Sequence, residues 1–214
     1  MIRAVIFDMD GVLIDSEMVY LEYLFQKMKG EYPNITLKKM KAIVGAHLRQ
    51  TLDILYEASG SREDRDVFDQ KIQDWFDCEV YYPEILRKEV PGLLKTLRAR
   101  GYLLGLASST STEGIAKVLE QCGLTESFDY VVSGDMFQES KPNPEIYLHS
   151  AAKLGCRPEE CFVVEDSTYG IQAAAAANMT IAAIRDDRFD FDQTPAAYHI
   201  EKLNEILDLL PSRV

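Results

Sequence analysis

The sequence predicts an α/β fold, a doubly wound parallel sheet with an inserted all-helical domain, and three observations point there. From residue 86 onward, short apolar runs alternate with amphipathic helical segments, the pattern of strands joined by helical crossovers. One further run, residues 2–7, stands alone at the start. Between them, residues 16–85 carry apolar residues at helical spacing, many charges and no convincing strand. The expected domains are therefore a core made of 1–15 and 86–214, and a helical insertion over 16–85.

Residues 2–7 are β-branched and almost wholly apolar, which suits a strand buried on both faces in the middle of a parallel sheet. Val19, Tyr20, Tyr23, Leu24, Phe25 and Met28 then place a helix over 17–28, with Ser16 as its N-cap. Tyr32-Pro33-Asn34 ends it. Further helices are expected near 36–45, over 48–58 and, as one long element, over 62–81, closed by Tyr82-Pro83. Pro91-Gly92 opens a helix that ends at Gly101. A strand follows over 102–107, then a helix to Cys122 with Gly123 at its end, and a strand over 130–133. Asn143 and Pro144 are expected to cap and start a helix running to Leu154. The chain closes with a strand over 161–164, an Ala-rich helix over 169–177, a strand over 180–184 and a helix over 202–210.

Composition bounds the function. The chain has 214 residues, 47% of them hydrophobic, enough for one sizeable core plus a smaller insertion. Its 23 Lys and Arg against 35 Asp and Glu give a net charge of −12. Nucleic acid and anionic membrane both need a basic footprint, so neither is expected as a partner. Cys78, Cys122, Cys156 and Cys161 show no Cys-x-x-Cys spacing and read as reduced, mostly buried thiols. No signal-peptide pattern and no apolar run of membrane-spanning length occurs. The expectation is a cytoplasmic monomer that acts on a small molecule.

Four strand ends or loops carry polar residues: Asp8 with Asp10, Ser108 with Ser109, Lys141, and Glu165 with Asp166. Parallel strands present their carboxyl ends along one edge, where ligands of open α/β sheets bind. Two carboxylates brought together there either raise one pKa or call for a cation. All-oxygen donors favour a hard ion such as Mg²⁺. Gly11 lets the backbone turn sharply and a ligand approach closely. Each group taken alone has a plain structural reading as an acidic turn, a helix cap or a solvated lysine. Those readings do not predict the combination, in this order, each at the mouth of an apolar strand or in the loop beyond one.

These residues resemble the motifs of the haloacid dehalogenase-like superfamily, which consists mostly of Mg²⁺-dependent phosphatases and mutases. Asp8-Met9-Asp10-Gly11-Val12 matches its first motif, Ser108 the second, Lys141 the third and Glu165-Asp166 the fourth. The helical stretch over 16–85 resembles the four-helix cap of the β-phosphoglucomutase-like branch, so the likeness spans essentially the whole chain. It implies a Rossmann-like core. It also implies that Asp8 attacks phosphorus to give an aspartyl phosphate, and that Asp10 serves as general acid and then base. Mg²⁺ would be held by Asp8, Asp166 and the backbone carbonyl of Asp10, with Glu165 beside it. Ser108 and Lys141, with backbone amides around Ser109 and Asp10, would hold the non-bridging phosphate oxygens. The helical insertion would exclude water and select the leaving group.

Within that resemblance the sequence favours a phosphatase of small phosphomonoesters, most of all sugar phosphates. Where the mutases carry a histidine, a cap arginine and a lysine, this chain has Tyr20, Leu48 (with Arg49 one place late) and Ser111. A β-phosphoglucomutase-type mutase is the alternative. His47 and Arg49 read as helix-surface residues, and His149 and His199 as structural. A phospho-accepting receiver domain is the remote, non-enzymatic alternative. Its acceptor Asp belongs on the third strand, whereas here it is on the first. A dehalogenase is disfavoured by Asp10 and the acidic cluster. Neither Gly-x-Gly-x-x-Gly nor Gly-x-x-x-x-Gly-Lys occurs, so dinucleotide and P-loop binding lack support.

Overall fold

The computed structural model describes residues 1–46, 48–76 and 79–212. His47 and Cys78, both singled out in the sequence, lie outside them. The chain divides into two compact units: Met1–Asp15 together with Tyr81–Val214, and Ser16–Val80.

The first unit is built on a six-stranded, all-parallel sheet: β1 (Ala4–Phe7), β2 (Leu103–Ser108), β3 (Tyr130–Ser133), β4 (Cys161–Glu165), β5 (Thr180–Ile184) and β6 (Tyr198–Ile200). Their order across the sheet is β3-β2-β1-β4-β5-β6. The chain winds outward from β1 to β3, then returns to lay β4 on the other flank of β1. The reversal falls between β1 and β4, so the ends of those strands open the crevice where α/β sheets bind ligands. Ala4, Val5, Ile6 and Phe7 are all fully buried, as the uninterrupted apolar run requires. Helices α6 (Val90–Ala99) and α7 (Thr112–Gln121) pack on β2 and β3 respectively; α8 (Glu145–Lys153) packs across β1–β3, and α9 (Thr168–Ala176) on β4 and β5. One apolar cluster joins Ala4, Ile6, Val163, Ile181 and Ala183 of the sheet to Ile146, Tyr147, Ala151, Ile171 and Ala174 of α8 and α9. Alternation along each strand sends the neighbouring residues to the opposite face.

The first unit also contains α5 (Tyr82–Ile85) and α10 (Ile206–Leu209). The boundary expected at 86 falls at Tyr81 because α5 is tied into this unit. Tyr82 N–H donates to Gln121 Oε1 at 3.2 Å and Asp15 N–H to the Ile85 carbonyl at 2.8 Å. Pro83 lies in the first turn of α5, where its missing N–H has no intrahelical partner to lose, so it starts a helix rather than closing one.

The second unit contains α1 (Glu17–Glu31), α2 (Leu37–Met40), α3 (Leu48–Ser59) and α4 (Arg65–Asp74), and no strand among its described residues. Ser16 makes no capping hydrogen bond, contrary to expectation, because its own backbone is already in the helical region. The helix expected over 62–81 is shorter at both ends. Asp64 has non-helical dihedrals and accepts from Asp66 and Val67 N–H, which makes it the N-cap.

Candidate active site

Phe7 delivers Asp8 past the end of β1, where the Asp8 N–H still pairs with the Val164 carbonyl at 3.0 Å. The chain then reverses through Asp10 and Gly11, with the N–H groups of Leu13 and Ile14 both donating to the Met9 carbonyl. Gly11 has a φ of 73°, which favours glycine, and a Cβ there would stand 2.0 Å from Asp166 Oδ2. The first acidic turn can therefore lie against the second only with glycine at this position. Arg87 Nη2 holds the turn from behind, donating to the Gly11 carbonyl at 2.8 Å.

Ser108 ends β2 and is buried. Its Oγ accepts from Thr110 N–H at 3.0 Å and lies 3.5 Å from Asp10 Oδ2. A closer contact to Asp10 comes from Thr110, whose Oγ1 donates to Oδ2 at 2.7 Å. Ser109 is exposed at the same loop, its hydroxyl 3.5 Å from that of Ser140. Ser111 caps α7 by accepting from Gly114 N–H.

Lys141 is 5% exposed and uses all three ammonium hydrogens. They go to Asp8 Oδ1 at 2.5 Å, Glu165 Oε1 at 2.8 Å and the Ala107 carbonyl at 3.1 Å. Glu165 is fully buried and is the hub of the site. Its Oε1 accepts from Lys141 and from Tyr147 Oη at 3.0 Å; its Oε2 accepts from the N–H groups of Asp166 and Ser167 and from Ser167 Oγ. Both oxygens are thus engaged in anchoring Lys141 and the start of α9. A Cβ on Gly170 would lie 1.6 Å from Glu165 Oε1, so the first turn of α9 admits this carboxylate only with glycine there.

Electrostatics follow the burial. Loss of hydration lifts the Asp8 carboxyl to about 8 against the pull of Lys141, and the charges of Glu165 and Asp10 add to the rise. Burial alone would lower the Lys141 ammonium, but Asp8 and Glu165 hold it well above its ordinary value. Burial acts to raise Glu165, and Lys141 outweighs it, leaving that carboxyl below its ordinary value.

The structure thus gathers Asp8, Asp10, Ser108, Lys141, Glu165 and Asp166 at one edge of the sheet, with Ser109 at its rim. Carboxylate oxygens of Asp8, Glu165 and Asp166 lie within 4.8 Å of one another, all three residues buried. The residues present fit a hard divalent cation: the donors are all oxygen, and glycine at position 11 keeps the space in front of Asp166 clear of a side chain. Sequence reasoning missed Thr110, Ser167, Tyr147 and Gly170. Gly170 had a readable signal, since glycine in a helix costs stability and so implies a packing reason. Neither His149 nor His199 is seen bonded to these groups: His149 Nε2 meets Tyr130 Oη at 2.8 Å and His199 the Gln193 carbonyl at 3.2 Å. In the helical unit, Arg49 is 69% exposed and loosely paired with Asp53 at 3.7 Å and Asp69 at 3.9 Å.

The chain is 34% identical over 180 residues to a phosphorylated carbohydrates phosphatase of Thermotoga maritima, covering 83% of this chain and 82% of that protein. It is 32% identical over 184 residues to hexitol phosphatase B of Escherichia coli K12, covering 83% and 81%. The crystal structure of a putative β-phosphoglucomutase from Thermotoga maritima superposes with a TM-score of 0.75 at 31% identity, covering 100% of both chains. Residues 5–184 match the haloacid dehalogenase-like hydrolases, and the chain, with its acidic turn after β1, its buried lysine and its paired acids, belongs to that family.

Proposed function

We propose that this hydrolase is a Mg²⁺-dependent phosphatase of small phosphomonoesters, sugar phosphates above all, working through an aspartyl phosphate. The observation that carries the reading is the buried Asp8 carboxylate held by Lys141 at the mouth of β1, with a second acid, Asp10, two residues on. Lys141 fixes Oδ1 and so orients the carboxylate. Asp8 attacks phosphorus, the bond to the leaving oxygen breaks, and Asp10 supplies the proton to the departing alkoxide. Asp10 then takes a proton from water as water attacks phosphorus, which frees phosphate and restores Asp8. Ser108 holds a non-bridging oxygen, and the Lys141 ammonium, with its three hydrogens on Asp8, Glu165 and the Ala107 carbonyl, offsets the negative charge that spreads onto the phosphate. Mg²⁺, held by Asp8 and Asp166 with the Asp10 carbonyl, would offset repulsion between the dianionic substrate and the acids.

Water rather than a second sugar is assigned as phosphoryl acceptor. Ser111 stands where the mutases carry a lysine, and its hydroxyl is spent capping α7. The relatives named as phosphatases of phosphorylated carbohydrates and hexitols support a sugar phosphate as substrate. The helical unit is assigned the choice among them. The four cysteines, Cys78, Cys122, Cys156 and Cys161, show no Cys-x-x-Cys spacing, which supports a reducing compartment such as the cytoplasm.

The test is phosphate release from a panel of sugar phosphates with Mg²⁺, including β-glucose 1-phosphate with its bisphosphate. Free phosphate that EDTA abolishes and Mg²⁺ restores is the expected result, with Asp8→Asn inactive but folded. Glucose 6-phosphate formed with little phosphate released would make the enzyme a mutase. Asp8→Asn activity within about tenfold of wild type would remove the nucleophile assignment.

A further inference from the structure

We propose that Gln193 is a positioning residue for the cation site, acting through the backbone of Asp166. The inference rests on the Mg²⁺ reading above and goes beyond it to a residue on no strand end and in none of the four motifs. Gln193 lies in the long connection between β5 and β6. Its side-chain amide donates to two carbonyls at once: that of Asp166 at 2.7 Å and that of Ile184, the last residue of β5, at 2.9 Å. With both amide hydrogens engaged on fixed backbone acceptors, the side chain has one orientation.

The consequence falls on Asp166. Its N–H is held by Glu165 Oε2 at 2.9 Å and its carbonyl by Gln193. The backbone of Asp166 is therefore clamped at both ends, and the carboxylate leaves it in a set direction toward Asp8. The connection is itself secured. Asp192 N–H donates to Thr168 Oγ1 at 2.7 Å, and the Gln193 carbonyl accepts from Ala196 N–H at 3.0 Å. A neutral amide suits the place. It satisfies two carbonyls without adding a positive charge near a cation, as lysine would, or repelling the carbonyls, as a carboxylate would. Groups that orient metal ligands from behind commonly matter for affinity by about 10–100-fold.

The experiment compares the full-length wild type with Gln193→Met, which keeps the length and loses both donors. Mg²⁺ affinity is read by calorimetry, and melting temperature is read with and without Mg²⁺. The expected result is Mg²⁺ binding weakened about tenfold or more, with activity lost at low Mg²⁺ and recovered when Mg²⁺ is raised. The stabilisation conferred by Mg²⁺ shrinks in parallel. Gln193→Asn, polar but one carbon short, serves if the methionine variant does not fold, and should also weaken Mg²⁺ binding. Unchanged Mg²⁺ affinity, with melting lowered equally in both conditions, would reduce Gln193 to a loop anchor and overturn the proposal. A wild type that binds no Mg²⁺ would instead remove the metal reading, and this inference with it.

Discussion

Gly170 shows how a single missing carbon admits a buried charge. In most helices Gly→Ala is stabilising, by up to about 1 kcal/mol, because glycine keeps more backbone freedom in the unfolded chain. At Gly170 the added Cβ would stand 1.6 Å from Glu165 Oε1, a carboxylate locked by Lys141, Tyr147 and Ser167. Gly170→Ala is therefore expected to lose about 1–3 kcal/mol, the usual cost of overpacking, and to lower activity as Lys141 shifts. Gly92 in α6 has no atom within 4 Å of the place a Cβ would take and φ outside the left-handed range, so Gly92→Ala should be neutral or stabilising. Urea denaturation of the two variants checks the sign; a stabilised Gly170→Ala would mean the Glu165 carboxylate moves freely. At this scale the sequence displayed Asp8, Asp10, Ser108, Lys141, Glu165 and Asp166, because each sits at a strand end or in a loop beyond one. Tyr147 and Thr110 were not legible. Tyr147 looks like any core aromatic on a helix, and only the packing of α8 beneath the sheet brings its hydroxyl to Glu165.

At the scale of elements, the C-terminal helix depends on a contact far from the catalytic edge. Arg100, just after α6, donates from Nη1 to the carbonyls of Leu207 at 2.5 Å and Leu210 at 2.6 Å. These are carbonyls of the last turn of α10, which lack intrahelical partners, and Tyr102 Oη adds a bond to the Pro211 carbonyl at 2.7 Å. Arg100→Met keeps the aliphatic stem and removes the guanidinium. It should cost about 1.5–3 kcal/mol, the range for hydrogen bonds to a charged donor, with kcat and KM unchanged. An unchanged urea midpoint would show that α10 holds by its apolar face alone. The legibility of elements followed burial. β3 and β5 matched their expected bounds because each is a compact apolar run between turns. β6 escaped notice, since it is an edge strand of three residues with Tyr198 and His199 exposed and offers no apolar stretch to read. The expected long fourth helix failed for the opposite reason. Its apolar spacing ran on, but the Asp64 cap and the turn after Asp74 confine α4 to ten residues.

For the whole molecule, stability against pH is set by carboxyls that folding pushes in opposite directions. The Arg157 backbone and guanidinium hold Glu160 down to about 2; burial acts to raise Asp186 but Arg188 brings it below its ordinary value; Lys71 and Tyr32 do the same for Glu63. A depressed carboxyl contributes stability that is present above its unfolded value and lost as pH falls through the folded one. These groups therefore give an acid limb, which for Glu160 runs from 4.5 down to about 2. Asp8 runs the other way. Its folded value is raised from 3.8 to about 8, chiefly by burial, so its contribution is full below 3.8 and is lost as pH rises through about 8. Without divalent cation the protein should therefore lose stability between pH 4 and 8. Asp8→Asn, which carries no charge to bury, should lack that component of the slope and be the more stable protein at pH 8. A cation bound at Asp8 and Asp166 favours the ionised carboxylates, so the Mg²⁺-induced rise in melting temperature should grow across the same interval. Melting curves of both proteins at pH 6 and pH 8, with EDTA or Mg²⁺, carry the test. A Mg²⁺ increment that is equal at the two pH values in the wild type would mean that Asp8 is already ionised at pH 6, and that Lys141 rather than burial governs its charge.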